Sequence, residues 1–295
     1  MTRELRYSYY PGCSLSATGK AYDVSTRVVC EELGIQLDEL PDWNCCGATA
    51  YFSVDEEESL ALAARNLALA ERSGLDLVTP CSACYITLNK TNQYLREYGE
   101  VRERIRDALA AADLEYRGST EVRHLLYVFD EDFGFDRLRG LVKGNALDLN
   151  VAPYYGCQIV RPYTDKESPD IPISLDRMIE ACGSRVADYP LKTKCCGAAL
   201  TGVDEKAALG LIHTLLACAS RNGADCIVTP CPLCQTNLDA YQFKVNRMFG
   251  TDYHIPVLFF TQLIGLALGI DAKKLGIEMG IETFKFSHGK KRASI

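Results

Sequence analysis

Apolar positions along this chain alternate between two periods. A short aromatic run at residues 6–10 has strand character and ends at Pro11-Gly12-Cys13. Apolar residues then recur at helical spacing over 22–33 and stop at Gly34. Residues 35–37 predict a strand entering the loop Pro41-Asp42-Trp43-Asn44. The Ala- and Leu-rich stretch 56–72 predicts a helix, with Asp55 and Glu58 in capping register and Gly74 as its stop. Residues 75–78 predict another strand, and a helix follows around Cys84. The second half repeats this with a strand at 147–154, a helix at 206–221 stopped by Gly223, a strand at 226–228 and a helix after Cys234. The apolar stretch 256–270 is interrupted by Thr261 and Gln262 and is too short for a membrane span. It predicts a strand running into a buried helix. Strands and helices alternating at this spacing predict an α/β fold with mainly parallel sheets.

The cysteines carry the same repeat. Cys13, Cys45-Cys46-Gly47 and Cys81-x-x-Cys84 are followed, in the same order, by Cys157, Cys195-Cys196-Gly197 and Cys231-x-x-Cys234. The last four cysteines of each set are offset by a constant 150 positions. Flanking residues repeat too: Tyr10 and Tyr154 each stand three positions before the first cysteine, and Val78-Thr79-Pro80 matches Val228-Thr229-Pro230. The chain is therefore an internal duplication. Its predicted halves are 1–145 and 146–295, divided where Gly140, Gly144 and Asn145 loosen the sequence. Two Rossmann-like halves related by a pseudo-twofold are expected, the second ending in a short basic tail from Phe284 with Lys285, Lys290, Lys291 and Arg292.

Composition narrows the chemistry. A hydrophobic share of 47% in 295 residues excludes a mainly disordered chain. A formal charge of -7 argues against nucleic-acid binding, because phosphate neutralisation needs excess Lys and Arg. No apolar leader core opens the chain, so a cytoplasmic protein is expected. Reduced thiols in clusters there point to metal ligands or catalytic sulfur before disulfides. Cys30, Cys182, Cys218 and Cys226 fall outside the repeat and are expected to be core residues. There is no GxGxxG and no P-loop.

Cys13, Cys81, Cys157 and Cys231 follow predicted strands. Loops beyond the carboxyl ends of parallel strands gather in one crevice. The CxxC pairs open helices, whose free amides favour thiolate. Gly47 and Gly197 are expected to let the backbone approach a bulky ligand. Zinc takes four ligands and a cubane iron–sulfur cluster takes four thiolates, whereas each half offers five. The surplus favours an opened or extended iron–sulfur centre; structural zinc and a dithiol–disulfide relay remain as alternatives.

The doubled pattern C-x31-CCG-x33-CxxC and C-x37-CCG-x33-CxxC resembles the CCG-domain family over nearly the whole chain. More narrowly, it resembles the B subunits of heterodisulfide reductases and heterodisulfide-reductase-like proteins. The resemblance implies two noncubane 4Fe–4S clusters. Cys13, Cys45, Cys46, Cys81 and Cys84 would hold one; Cys157, Cys195, Cys196, Cys231 and Cys234 would hold the other. It implies a catalytic component that cleaves or forms a disulfide. It also implies a ferredoxin-like iron–sulfur partner of the C-subunit type, a flavin-bearing partner of the A-subunit type and a thiol or disulfide substrate. Two facing centres could divide the two sulfurs of a disulfide between them and avoid a free thiyl radical. The alternatives are an electron-transfer CCG subunit of another oxidoreductase, of succinate, fumarate or 2-hydroxy acid type, and a zinc-stabilised assembly module.

Other residues add less. His124, His213, His254 and His288 lack metal spacing and are expected on the surface or satisfied in the core. Lys192, Lys194 and Arg161 are solvated charges or attract an anionic substrate. Of Tyr9/Tyr10 and of Tyr154/Tyr155, one member should face the core and the other a cluster pocket.

Overall fold

The computed structural model describes residues 4–48, 50–142, 147–282 and 284. The predicted boundary at 145/146 and the basic residues Lys285 to Arg292 of the tail lie outside this set, as does His288. The first half runs β1 (Leu5–Tyr9), α1 (Lys20–Glu32), β2 (Ile35–Glu39), α2 (Ala50–Val54), α3 (Glu56–Ser73), β3 (Leu77–Thr79), α4 (Ser82–Glu97), α5 (Gly99–Ala110), β4 (Val122–His124), α6 (Leu125–Val128) and α7 (Phe135–Leu141). The second runs β5 (Asn150–Pro153), α8 (Ser174–Ala181), β6 (Arg185–Val186), α9 (Glu205–Arg221), β7 (Cys226–Thr229), α10 (Pro232–Ala240), α11 (Gln242–Phe249), β8 (Val257–Phe259) and α12 (Phe260–Ala267).

Each half holds a four-stranded sheet, with order β2-β1-β3-β4 in one and β6-β5-β7-β8 in the other. Every pairing in both sheets is parallel. The strand order reverses beside β1 and beside β5. The crevices at the carboxyl ends of β1 and β3, and of β5 and β7, are thus the switch points where α/β folds bind ligands. This is the duplicated Rossmann-like architecture expected from the alternating pattern.

Local chemistry explains the elements. The Asp55 side chain caps α3 by accepting from the Glu58 N–H at 2.9 Å, and Gly74 ends the helix at φ 69°. Such a cap stabilises a helix by about 1 kcal/mol. Its twin in α9 is Asp204, which accepts from Ala207 N–H at 3.0 Å. The stretch around Pro256 forms the expected pair: β8 leads directly into α12, whose eight residues are all buried. No helix among the described residues is long and apolar enough to cross a membrane.

The halves share a core. The largest buried apolar cluster joins Tyr22, Leu67 and Phe129 of the first half to Val151, Met178, Phe259 and Phe260 of the second. The contacts obey a pseudo-twofold. The helix after the first strand of each half packs on the helices after the last strand of the other: α1 on α12, and α8 on α6 and α7. Tyr22 of α1 stacks on Phe259, with centroids 4.1 Å apart and planes 9° apart. Ser25 and Thr261 share a buried hydrogen bond of 2.7 Å across the same seam.

Candidate metal centres

Ten cysteines gather at the two switch points, five per half. In the first, Cys45 and Cys13 share a hydrogen bond with sulfurs 3.8 Å apart, and Cys46 and Cys84 are 3.5 Å apart. In the second, Cys196 and Cys234 are 3.6 Å apart, and Cys157 hydrogen-bonds Cys195. All the cysteines are free thiols. Cys13, Cys45 and Cys195 are exposed and Cys157 is half-buried, whereas Cys46, Cys81, Cys84, Cys196, Cys231 and Cys234 are buried. Each site thus has a wet rim of two sulfurs over a dry floor of three.

Thiol acidity follows this layout. Cys45 lies well below the usual thiol range because Cys13 and then Cys46 hydrogen-bond it. Cys195 is lowered to about 6, first by Cys157 and, against burial, by the Gly197 N–H. Cys231 is lowered to about 7, first by Cys234 and, against burial, by the N–H groups of Cys234 and Leu233 and by the Ser82 hydroxyl. Their partners rise correspondingly: Cys13 and Cys157 through their bonds to Cys45 and Cys195. Cys84 and Cys234 rise through their bonds to Cys46 and Cys196. A lowered thiol therefore stands in each sulfur set, Cys45 in the first and Cys195 and Cys231 in the second. The donor set is all sulfur, which suits iron–sulfur clusters and zinc alike. Among the described residues no three His, Cys, Asp or Glu side chains close around the position of one metal ion, so neither site is a preformed single-ion cage.

Glycines shape the sites differently from expectation. Gly47 and Gly197 have φ 77° and 81°, but a Cβ on Gly47 would strike Ser59 Oγ at 2.6 Å and one on Gly197 would meet Leu211 and Ala208. They admit the backbone close to the following helix. The glycines that make room at the sulfurs are Gly12 and Gly156, where a Cβ would lie 2.9 Å from Cys84 Sγ and 3.0 Å from Cys234 Sγ. The sequence signal for these is their identical place one residue before Cys13 and Cys157.

The tyrosines divide as expected. Tyr10 and Tyr154 lie beside the sulfurs and donate to the carbonyls just before each CCG, Tyr10 to Asn44 at 2.8 Å and Tyr154 to Lys194 at 2.7 Å. Tyr9 and Tyr155 donate away from the sites, to Asp23 and Asp176. Lys192 is neither solvated nor free: Asp176 at 2.9 Å and the Pro172 carbonyl at 2.7 Å hold its ammonium. Arg161 is exposed and donates to the Pro169 carbonyl, and Lys194 is exposed. His213 stacks on Phe249, and His254 is exposed between Asp252 and Glu282. Cys30, Cys182, Cys218 and Cys226 are buried core residues.

His124 is fully buried at the seam between the halves. Its Nδ1 accepts from the Leu126 N–H at 3.1 Å, so the proton sits on Nε2, which donates to the Pro230 carbonyl at 3.2 Å. Burial lowers its pKa to about 3, so the ring is neutral. Tyr22 at 3.3 Å and Ser82 at 3.2 Å donate to the same carbonyl. Tyr22 and Ser82 carry no sequence signal, because the partner that gives them meaning is in the other half.

A duplicated α/β chain with five cysteines at each switch point defines a class of cysteine-rich double-domain proteins. The chain belongs to the cysteine-rich CCG domain family, which it matches over residues 7–89 and 151–239. It is 35% identical over 287 residues to the B subunit of the ferredoxin/F(420)H(2)-dependent CoB-CoM heterodisulfide reductase of Methanosarcina acetivorans, covering 95% of both chains. It is also 35% identical over 277 residues to the 8-methylmenaquinol:fumarate reductase membrane anchor subunit of Wolinella succinogenes, covering 93% of this chain and 96% of that one. A crystal structure of a hypothetical protein from Helicobacter pylori shares the fold, with a TM-score of 0.78 at 17% identity, over 96% of this chain and 53% of that one.

Proposed function

We propose that this chain is the catalytic iron–sulfur subunit of a heterodisulfide-reductase-like complex, working in a reducing, cytoplasmic compartment. Cys13, Cys45, Cys46, Cys81 and Cys84 hold one noncubane 4Fe–4S cluster, and Cys157, Cys195, Cys196, Cys231 and Cys234 hold the other. The observation that carries the reading is two complete five-sulfur sites whose CxxC segments meet at one seam, the Ser82 hydroxyl of one half donating at 3.2 Å to the Pro230 carbonyl directly before Cys231 of the other. When bound, the clusters supply one electron each to the two sulfurs of a disulfide, which leave as two thiolates. The chain's own residues do the rest. Exposed Cys13, Cys45 and Cys195 set the open rim of each site. Tyr10 and Tyr154 pin the CCG loops through the carbonyls of Asn44 and Lys194. The buried CxxC sulfurs keep water from the floor. Electrons come from two partner chains, one ferredoxin-like with iron–sulfur clusters and one bearing a flavin.

The similarity to a fumarate reductase component supports a second reading, an electron-transfer CCG protein with no disulfide chemistry. One set of measurements on anaerobically prepared protein separates the cases. The proposal expects about eight iron atoms and matching labile sulfide per chain, counting four per half. It also expects an electron paramagnetic resonance signal that changes when thiols are titrated in. About two zinc ions and no sulfide would overturn it in favour of the assembly module. Iron–sulfur signals indifferent to every thiol, together with normal turnover of Cys13→Ala in the assembled complex, would leave the electron-transfer reading.

A further inference from the structure

The second half lacks an element that the first half has. Val122 lies 43 positions after Thr79, with α4 and α5 between them; Val257 lies only 28 after Thr229, with α10 and α11 in the place of α4. In the first half α5 packs on α3 and buries Ile105 and Leu109 there. Arg104 of α5 reaches Glu57 at 3.5 Å, and Ala108 and Leu109 face Ala61 and Leu62 across a narrow cleft. In the register that pairs Asp55 with Asp204, positions 57, 61 and 62 become Lys206, Gly210 and Leu211 of α9. Leu211 is 36% exposed, and a Cβ on Gly210 would meet no heavy atom within 4 Å. Lys206 is exposed with no carboxylate partner among the described residues, the adjacent Glu205 being held by Lys244. His213, in the place of Ala64, stacks on Phe249 with centroids 4.2 Å apart, so only the edge next to α11 is filled.

Two features of this open face call for a second body. A glycine inside a helix loses more conformational freedom on folding than any other residue and weakens the helix relative to alanine. Nothing on this chain requires one at position 210. A helix lying close against α9 does, as α5 lies against Ala61. The second feature is charge. Glu57 meets a cation on α5, but its twin Lys206 is itself a cation, so the body that takes the place of α5 carries an acid there. The basic tail of this chain, with Lys285, Lys290, Lys291 and Arg292, would bring like charge to it.

Resting on the partner reading above, we propose that this face of α9 docks an acidic amphipathic helix of the iron–sulfur partner chain, in the place that α5 occupies on the first half. The docked helix sets apolar residues four apart, as Ile105 and Leu109 are, over Gly210 and Leu211, and a carboxylate opposite Lys206. The face adjoins the second five-sulfur site: a Cβ on Gly197, directly after Cys195-Cys196, would lie 3.1 Å from Leu211 Cδ1. That adjacency selects the chain that hands electrons over directly. On the first half α5 already fills the equivalent place. The duplicated pair is thus approached from one side only.

The test is a calorimetric titration of the anaerobic, metal-loaded full chain with the purified iron–sulfur partner of its complex. Leu211→Glu should weaken binding about tenfold or more, the scale of a central apolar contact. Gly210→Gln should weaken it as well while raising the unfolding midpoint, a combination that damage to the fold cannot produce. Lys206→Glu should slow association, and Lys206→Arg should restore it. Ile171→Glu, at an exposed apolar residue outside this face, should bind as wild type. A photoreactive side chain in place of Thr214, one turn along α9, should cross-link to an acidic helix of the partner in the assembled complex. Full affinity in Leu211→Glu or Gly210→Gln overturns the proposal, as do equal losses in Ile171→Glu or cross-links to a second copy of this chain. Iron and sulfide analysis separates the failures. An iron-free chain that still docks its partner through this face defeats the cluster reading alone; an iron-loaded chain whose partner ignores the substitutions defeats only the docking site.

Discussion

The two halves hold their sulfurs alike and brace them differently. In the first, α3 supports the CCG loop: Asn66 exchanges hydrogen bonds with Asn44, accepting from its N–H at 3.0 Å and donating to its carbonyl at 3.0 Å. Ser59 donates to the Gly47 carbonyl at 2.7 Å, and Arg65 ties down Asn44 and Asp42. In the second, α10 and α8 do the work. Asn237 donates to the Cys196 carbonyl at 2.7 Å and is itself held by Thr201. The Lys192 ammonium, locked on Asp176, fixes a loop whose carbonyl takes the N–H groups of Tyr155 and Gly156. In the register that pairs Asp55 with Asp204, positions 59 and 66 correspond to Ala208 and Leu215, so neither of these two side-chain braces survives in the second half.

The sharpest break of the comparison is a ligand deletion. Cys195→Ala should lose about half of the iron and leave the first-half signal, and Cys45→Ala should do the reverse, counting four irons per half. Loss of all iron from either variant would mean that the halves are not independent sites. Next is glycine. Gly47→Ala should cost about 3 kcal/mol: about 1–2 for the left-handed backbone, and the rest for the collision with Ser59 Oγ that breaks its bond to the Gly47 carbonyl. Gly197→Ala meets the movable end of Leu211 at 3.1 Å and the Ala208 Cα at 3.2 Å, with no hydrogen bond to break, and should cost less than Gly47→Ala. Equal unfolding midpoints would contradict this.

The third concerns the seam. His124 is twinned with Phe259, the two pairing with Thr79 and Thr229 in their sheets. Its folded pKa of about 3 lies below the ordinary value of 6.5. The unfolded chain takes the proton first, so stability is complete above about pH 6.5 and falls with acidification, by about 1.4 kcal/mol per pH unit until pH 3. His124→Phe, which copies the twin, should be less stable at pH 7 for want of the Pro230 bond, but its stability should fall less steeply between about pH 6.5 and 4.5. Parallel curves from denaturant titrations would refute the assignment. The smallest effect is expected at Cys30, Cys182, Cys218 and Cys226: alanine at each should keep full iron and cost about 1 kcal/mol. Iron loss in two of the four would redraw the ligand sets.

Much of this is legible in the chain. The 150-residue offset of the cysteines exposes the duplication, and strong periodicity with capping residues locates α3 and α9 nearly to the residue. The sequence pattern is silent on α5, because it buries only Ile105 and Leu109 and its other residues are solvated. The two-residue β6 is too short for any alternation to register. At the sites the cysteines announce themselves, but their neighbours do not. Ser82 sits 148 residues from the carbonyl it meets, and an isolated serine at the start of a helix has many local explanations. Gly47 and Gly197 adjoin the paired cysteines, which suggests a ligand as their reason. They also pass close under α3 and α9, a reason that only packing reveals.

The exchange of helices across the seam has a consequence for synthesis. Ser25 on α1 waits for Thr261 on α12, 236 residues later in the chain. The amino-terminal sheet can pair its strands long before that, yet the apolar face around Tyr22 is not covered until Phe259 and Phe260 have been made. At about 5–20 residues per second, that interval is on the order of ten seconds to a minute. Throughout it the first five thiols stand assembled on a half-protein with an open flank. The face of α1 is thus the apolar surface that a half-made chain exposes longest, the kind of transient surface on which aggregation begins.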